Sequence, residues 1–215
     1  MLKSLNHDNI IKVYDFKIDP STNTSYMIME YFWGITVDQI VNLDQDFSCK
    51  DSTFAVSQLI NAVCYLHSKG ICHRDIKPQN VIINTNLELK LIDFNIAKAI
   101  KRSDTSCYSE SQMSMKAMTQ IGSPLYAAPE VYSTNFYTEK IDIWGVGIIL
   151  LYLTSNDANE FEGMNKDNRH EILDKIASSR GHIDSKVSNF LTSCLEIEQD
   201  NRPSIFECLE IVQNF

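Results

Sequence analysis

No Cys-x-x-Cys pair occurs among the six cysteines, at positions 49, 64, 72, 107, 194 and 208, and none has a histidine partner at metal-finger spacing. That pattern argues against a zinc-stapled or disulfide-framed module and for free thiols in a reduced compartment. A membrane-length apolar run is also missing. The longest, "IWGVGIILLYL" from Ile143 to Leu153, falls well short of the roughly 20 residues that a spanning helix needs, so a buried core helix is expected there. The opening "MLKSLNHDNI" has neither the apolar region of a signal peptide nor the Arg/Ser bias of a transit peptide, and an intracellular protein, cytoplasmic or nuclear, is expected. Basic clusters are lacking as well. Lys and Arg number 19 against 28 Asp and Glu, for a net charge of -9, and they are scattered. Neither nucleic acid nor an anionic membrane is therefore an expected partner. What is present is ordinary for a globular chain, with 44% hydrophobic and 22% charged residues. This is enough to bury a core in one domain, or one domain with a partial second lobe.

Along the chain, "NIIKVYDFKID" and "TSYMIMEYF" are β-rich runs joined by "PSTNT", whose Pro20 and Asn23 favour a turn, so a hairpin is expected. From Ser52 to Lys69 the apolar residues Phe54, Leu59, Ile60, Val63 and Leu66 recur at helical spacing, and Gly70 stands where a C-terminal cap belongs. "NVIIN" and "LELKLIDF" read as two further strands around Asn84 to Asn86. The polar, Ser-rich "KRSDTSCYSESQMSMKAMTQ" reads as a mobile surface segment. Helical patterns follow at 139–153, 169–178, 186–195 and 203–212, with Pro203 expected to open the last. A few strands followed by many helices predict an α+β architecture with a small sheet.

Between two of these elements lies "ICHRDIKPQNVII", which sets His73, Arg74, Asp75, Lys77 and Asn80 between greasy flanks. Pro78 rules out a continuous helix or strand, so the stretch reads as an irregular loop anchored at both ends in a core, a setting favoured by catalytic groups. "HRDIKPQN", followed by "DFN" and then "APE", resembles the signature set of the eukaryotic protein kinase family. The resemblance runs along almost the whole chain, through "LNHDNIIKVYDF", "MEYF", "GSPLYAAPE", "DIWGVGIIL" and "DNRPS".

The resemblance implies a protein-kinase-like fold, ATP and Mg2+ as cofactors, and a protein substrate phosphorylated on serine or threonine. Phosphoryl transfer asks the protein mainly to position reactants and spread negative charge. By the family pattern Asp75 accepts the substrate hydroxyl proton, Lys77 sets its ammonium near the transferring phosphoryl group, and Asn80 and Asp93 offer hard oxygens to magnesium. Met29 resembles the residue at the back of the adenine pocket, the Glu30 carbonyl and Phe32 amide would bond the adenine edge, and Ile82 would form its floor. Without the family, Ile82 reads as core. Lys77 after the aspartate, together with Ser123 in "GSPLYAAPE" near the substrate, resembles the serine/threonine branch. Thr119 resembles the activation-loop phosphosite of an upstream kinase, with Arg74 and then Lys98 as the cations awaiting the phosphate. Glu130 and Arg202 match a buried ion pair, Asp142 matches a group that hydrogen-bonds the catalytic-loop backbone, Trp144 is core, and His73 is a packed scaffold residue rather than a base.

The chain departs from the family pattern in two places. Asn95 stands where the metal-binding triplet usually has glycine, and Asn is the side chain that best tolerates a left-handed backbone. No Gly-rich phosphate loop, strand lysine or partner glutamate is present, because the chain starts late in the helix that carries that glutamate. Residues 1–32 are therefore expected to be a small-lobe remnant and hinge and 33–215 the large lobe, with weak Mg-ATP binding by the chain as written. A pseudokinase-like scaffold that only binds partners is the alternative.

Overall fold

The computed structural model describes residues 2–43, 47–94, 97–99, 126–133, 138–155, 168, 171, 173 and 183–215. At its centre is the helix Lys140–Leu153. Every residue from Ile141 to Leu153 is buried, so its lack of a polar face is what an internal helix requires. Against it packs the longer helix Cys49–Ser68, started by Ser48, whose Oγ accepts from Asp51 N at 3.1 Å. Gly70, at φ 69°, turns the chain out of that helix in the left-handed region. Phe54 was expected on the buried face, but the structure puts it at 52% exposure. Helical spacing alone does not fix the centre of the apolar stripe, and in that turn Ser52, Ala55 and Val56 face inward instead.

In chain order the helices are α1 Val37–Asn42, α2 Cys49–Ser68, α3 Glu130–Ser133, α4 Lys140–Leu153, α5 Ser185–Cys194 and α6 Ile205–Val212. Helix α6 packs on α2, and α5 on α4. The expectation that Pro203 opens the last helix is corrected. Ser204 is the cap, its Oγ accepting from Glu207 N at 3.3 Å while Glu207 Oε2 accepts from Ser204 N at 2.7 Å. This reciprocal box satisfies two amides that a proline start would leave to water. The helix expected at 169–178 falls almost wholly outside the described residues.

The expected hairpin is present as β1 Val13–Asp19 antiparallel to β2 Thr24–Met29, with Asn23 at φ 52° in the turn. Strands β3 Ile35–Thr36, β5 Val81–Ile83 and β6 Leu89–Leu91 form a second antiparallel sheet in the order β3-β5-β6, and β4 Ile71–Cys72 pairs with β7 Lys98–Ala99. The segment before β1 is pinned to the helical body. Ile11 N donates to Leu91 O at 3.0 Å and Leu91 N to Asn9 O at 2.9 Å, while Asn9 Nδ2 donates to Gln58 Oε1 on α2 at 3.0 Å. The hairpin beyond it leaves Tyr14, Phe16, Ile18, Tyr26 and Ile28 exposed.

A second anchor ties α3 to the chain just before α6. The Arg202 guanidinium grips Glu130 with two parallel bonds of 2.7 and 2.8 Å, donates to the Glu196 and Ile197 carbonyls, and lies 5.0 Å from the Trp144 ring. With Arg202 at 1% exposure and Glu130 at 5%, this is the buried pair the sequence implied. Removing one partner strands a buried charge, so Glu130→Ala should cost about 3–5 kcal/mol. Urea unfolding followed by circular dichroism checks this, and a loss under about 1 kcal/mol, the worth of a surface pair, would contradict it.

Candidate active site

The chain leaves α2 through Gly70, runs through β4 and enters the loop 73–77 above α4. Two features of α4 fix the loop's height and direction. The first is Asp142 at 0% exposure. Its Oδ1 accepts from Arg74 N at 2.8 Å, and its Oδ2 accepts from His73 N at 2.9 Å, from His67 Nε2 at 2.8 Å and from the Cys72 thiol at 3.2 Å. Burial would push this carboxyl up, but the His67 hydrogen bond and charge, with the backbone donors, outweigh it and hold the group below its ordinary value. The second is Gly145, one turn further on, where a Cβ would come within 2.5 Å of Ile76 Cβ. Only glycine lets the loop rest directly on the helix there.

Arg74, buried at 8% exposure, adopts φ 72°. That conformation costs a non-glycine residue roughly 1–2 kcal/mol, and the Arg74 N to Asp142 bond offsets part of it. His73 is wholly buried, and burial pushes its imidazole below the ordinary value. Its ring bridges two chain segments: Nε2 lies 3.1 Å from Ile92 O, Nδ1 accepts from Asp75 N at 3.3 Å, and the ring packs edge-on to Phe94 at 4.7 Å. Only the neutral tautomer with the proton on Nε2 makes both bonds. The imidazole is thus a strut, as expected, between the loop and the strand end that carries Asp93.

On this support Asp75, Lys77 and Asn80 converge. Asp75 Oδ2 accepts from Lys77 Nζ at 2.7 Å and from Asn80 Nδ2 at 2.9 Å, and Asn80 Nδ2 also donates to Asp75 O at 2.8 Å. Both of those acceptors lack protons, so the orientation of the Asn80 amide is forced and its Oδ1 points away from Asp75. The turn Pro78–Asn80 is a short 3-10 helix, and the Asn80 carbonyl accepts from Ile92 N at 2.9 Å, one residue before Asp93. Asp93 takes φ 61° and is half-buried. An amide oxygen uncommitted to Asp75 and a carboxylate on the adjoining turn are hard donors that suit magnesium.

The remaining expected residues sit as follows. Ile82 is half-buried between the buried Val81 and Ile83, so it lies off the core side of β5. Met29 ends β2 at 44% exposure, and Phe32 packs partly against the core. The side chain of Glu30 is paired with Lys90 at 2.6 Å, and Lys90 Nζ lies 5.8 Å from the Phe32 ring. Thr119 and Ser123 lie outside the described residues, as does the Lys98 side chain. His67 and Lys90 were missed by the sequence reading. A histidine in the last turn of a helix reads as a C-terminal partner of the dipole, and nothing local links it to an aspartate 75 positions away. His67, Cys72 and Asp142 also bring metal-type donor atoms within 4.8 Å of one another, a grouping already explained by the hydrogen bonds among them.

The family model described as "Protein kinase domain" matches residues 1–212. The chain belongs to the protein kinase family. It is 33% identical over 211 residues to the serine/threonine-protein kinase atg1 of Dictyostelium discoideum, covering 95% of this chain and 30% of that protein. It is 34% identical over 224 aligned positions to the serine/threonine-protein kinase chk-2 of Caenorhabditis elegans, covering 97% of this chain and 44% of that one. A third relative, the human serine/threonine-protein kinase ULK1, is 33% identical over 159 residues, 70% of this chain and 14% of that protein. The kinase chain thus spans less than half the length of each of these relatives. The α+β architecture expected from the motifs agrees with the family. No helix among the described residues is long and apolar enough to cross a membrane.

The state of His73 gives the kinase domain a pH dependence of definite sign. His73 and His7, the latter an acceptor for Asn9 N at 3.1 Å and lowered chiefly by burial, both titrate below their unfolded value. The unfolded chain therefore binds protons that the folded chain refuses, and stability that is full above about pH 6.5 falls as the pH drops below it. Urea midpoints should decline between pH 7.5 and pH 5.5, and His7→Asn, which keeps an acceptor without titrating, should flatten part of that decline. A midpoint independent of pH over this range would contradict the assignment of neutral imidazoles.

Proposed function

We propose that this chain is the catalytic part of a serine/threonine protein kinase, transferring the terminal phosphoryl group of ATP to a protein hydroxyl. The single observation that carries the reading is the convergence of Lys77 and Asn80 on one oxygen of Asp75. It leaves Oδ1 of the same carboxylate to take the proton of an approaching serine or threonine hydroxyl. Lys77, held 2.7 Å from Asp75, brings a cation to the place where charge builds on the transferring group. Asn80 Oδ1 and the Asp93 carboxylate are the groups we assign to magnesium. Bound Mg-ATP supplies the phosphoryl group and neutralises the phosphates; the chain's own residues orient the hydroxyl, remove its proton and exclude stray water.

In the same reading the Glu30 carbonyl and Phe32 amide hold the adenine edge, Met29 lies behind it and Ile82 beneath it. Residues 1–32 act as small-lobe and hinge segments and 33–215 as the large lobe. Thr119 is the control phosphosite, answered by Arg74 and Lys98, and Ser123 lies beside the substrate. Support for the serine/threonine class comes from relatives that carry that name. A scaffold that only bound partners would have no physical need of Asp75, Lys77, Asn80 and Asp93 together.

In the full-length protein, Asp75→Asn should lower kcat by a factor of about 100 or more, since a positioned base contributes roughly 10²–10⁴, and leave the Kd for Mg-ATP nearly unchanged. Asp93→Ala should weaken magnesium-dependent nucleotide binding as well. Radiolabel transfer and calorimetry read the two quantities separately. Turnover by Asp75→Asn within a few-fold of the parent would remove Asp75 from the mechanism.

A further inference from the structure

Two of the six cysteines meet in the core where α5 and α6 converge. Cys194 ends α5, and Cys208 lies one turn into α6 on its inward face, with Ile205 and Val212. Both cysteines are at 0% exposure. The two thiols share a hydrogen bond, and burial first, then that bond, pushes the Cys194 thiol well above its ordinary value. The segment between them is folded back on itself by contacts that do not involve sulfur. Arg202 Nε donates to Glu196 O at 2.7 Å and Nη2 to Ile197 O at 3.1 Å, across the 3-10 turn Gln199–Asn201. These bonds draw the ends of the segment together and bring the helices that carry the two cysteines into register.

Burial accounts for a small apolar side chain at each position, but it does not require the two sulfurs to face each other. Behind Cys194 there is no free space. A Cβ on Gly147 of α4 would come within 2.9 Å of Cys194 Cβ, so Cys194 is backed against the central helix. Closer approach of the sulfurs must therefore come from α6. Only Ile205, Cys208 and Val212 of its eight residues are buried, and a helix docked through so narrow a stripe opens locally ahead of the wholly buried α4.

We propose that Cys194 and Cys208 are a redox-sensitive pair that closes into an intramolecular disulfide when the protein meets a peroxide. One thiol is oxidised by the peroxide to a sulfenic acid with loss of a first water, and the second thiol attacks that sulfur and releases a second water. Both thiol protons leave in the waters, and the two electrons cleave the peroxide O–O bond. The new bond closes a ring of about 15 residues and so restricts the unfolded chain. Arg202 lies inside that ring, so oxidation staples the segment whose guanidinium grips Glu130. In a reducing compartment the pair rests as two thiols, and thiol exchange returns it to that state. The device is independent of whether the chain transfers phosphate.

The test maps the bond in the parent protein. The reduced full-length protein is treated with hydrogen peroxide in native buffer, and again in subdenaturing urea so that slow opening of α6 does not mask the reaction. Remaining thiols are alkylated under denaturing conditions, and the digest is read by mass spectrometry. The expected product is a linked peptide pair joining Cys194 to Cys208, lighter than its parts by the lost hydrogens, formed faster in urea and reversed by dithiothreitol. The linked protein should melt about 5 °C higher, the scale set by a ring of this size in a chain of this length. In Cys208→Ala, shown to be folded by its own melt, peroxide should bring no such rise. Thiols at 194 and 208 that stay free in both buffers, or that link to other cysteines and not to each other, would overturn the pair. A linked pair that melts no higher than the reduced protein would overturn the staple. Because the mapping uses the parent protein, the pair is decided even where Cys208→Ala does not fold.

Discussion

The Asp142 carboxylate is the constraint on which the rest of the site depends. It is a wholly buried charge on the central helix, and four donors converge on it from the end of α2, from β4 and from the loop. Its ionised form is affordable in the core only because those donors replace water. In return the carboxylate holds two consecutive amides, His73 and Arg74, and so dictates the direction in which the chain leaves β4. The left-handed turn at Arg74 persists because that grip over-determines it. The next residue is Asp75, and Gly145 lets Ile76 after it rest directly on the helix. The geometry of the candidate site is thereby set by a rigid core element rather than by the loop's own preferences.

A chain of short contacts carries that order outward. The ring of His73, whose amide is held by Asp142, reaches across to the Ile92 carbonyl, and the Ile92 amide in turn reaches the Asn80 carbonyl. Asp93 follows directly, so the two proposed magnesium ligands are tied to the same strut. The Arg202–Glu130 pair acts in a parallel way at the other side of α4, fixing α3 to the start of α6 over the face of Trp144. Both anchors are buried charges with their hydrogen-bonding capacity widely used, the condition under which such groups hold one arrangement without destabilising it.

How much of this was legible in the sequence depended on the range of the signal. The loop 71–83 was legible because charged residues between isoleucines and a central proline admit few other structures. The core helix was legible because eleven nearly unbroken apolar residues from Ile143 to Leu153 have nowhere to go but inside. Short-range periodicity served less well: it placed Phe54 inward because its stripe can be drawn a third of a turn off, and it missed α1, whose six residues include Asp38, Gln39 and Asn42. Pro203 looked like a helix start, yet the Ser204–Glu207 box one residue on satisfies more amides. Contacts between distant positions were legible only through the family resemblance, as with Asp142 and the loop, and were otherwise invisible. His67 to Asp142 and Asn9 to Gln58 are pairs that no local pattern announces.

The account stands or falls on whether Asp142 governs the loop locally. Amide hydrogen exchange, followed residue by residue in the parent chain and in Asp142→Asn, measures this directly. The substitution leaves an acceptor for Arg74 but turns an amide N–H toward His73 N. The predicted result is a selective loss of protection at residues 71–83 and at Ile92, with α2 and the rest of α4 exchanging at nearly parental rates. Unchanged protection across 71–83 would contradict the claim that this one carboxylate sets the geometry of the site.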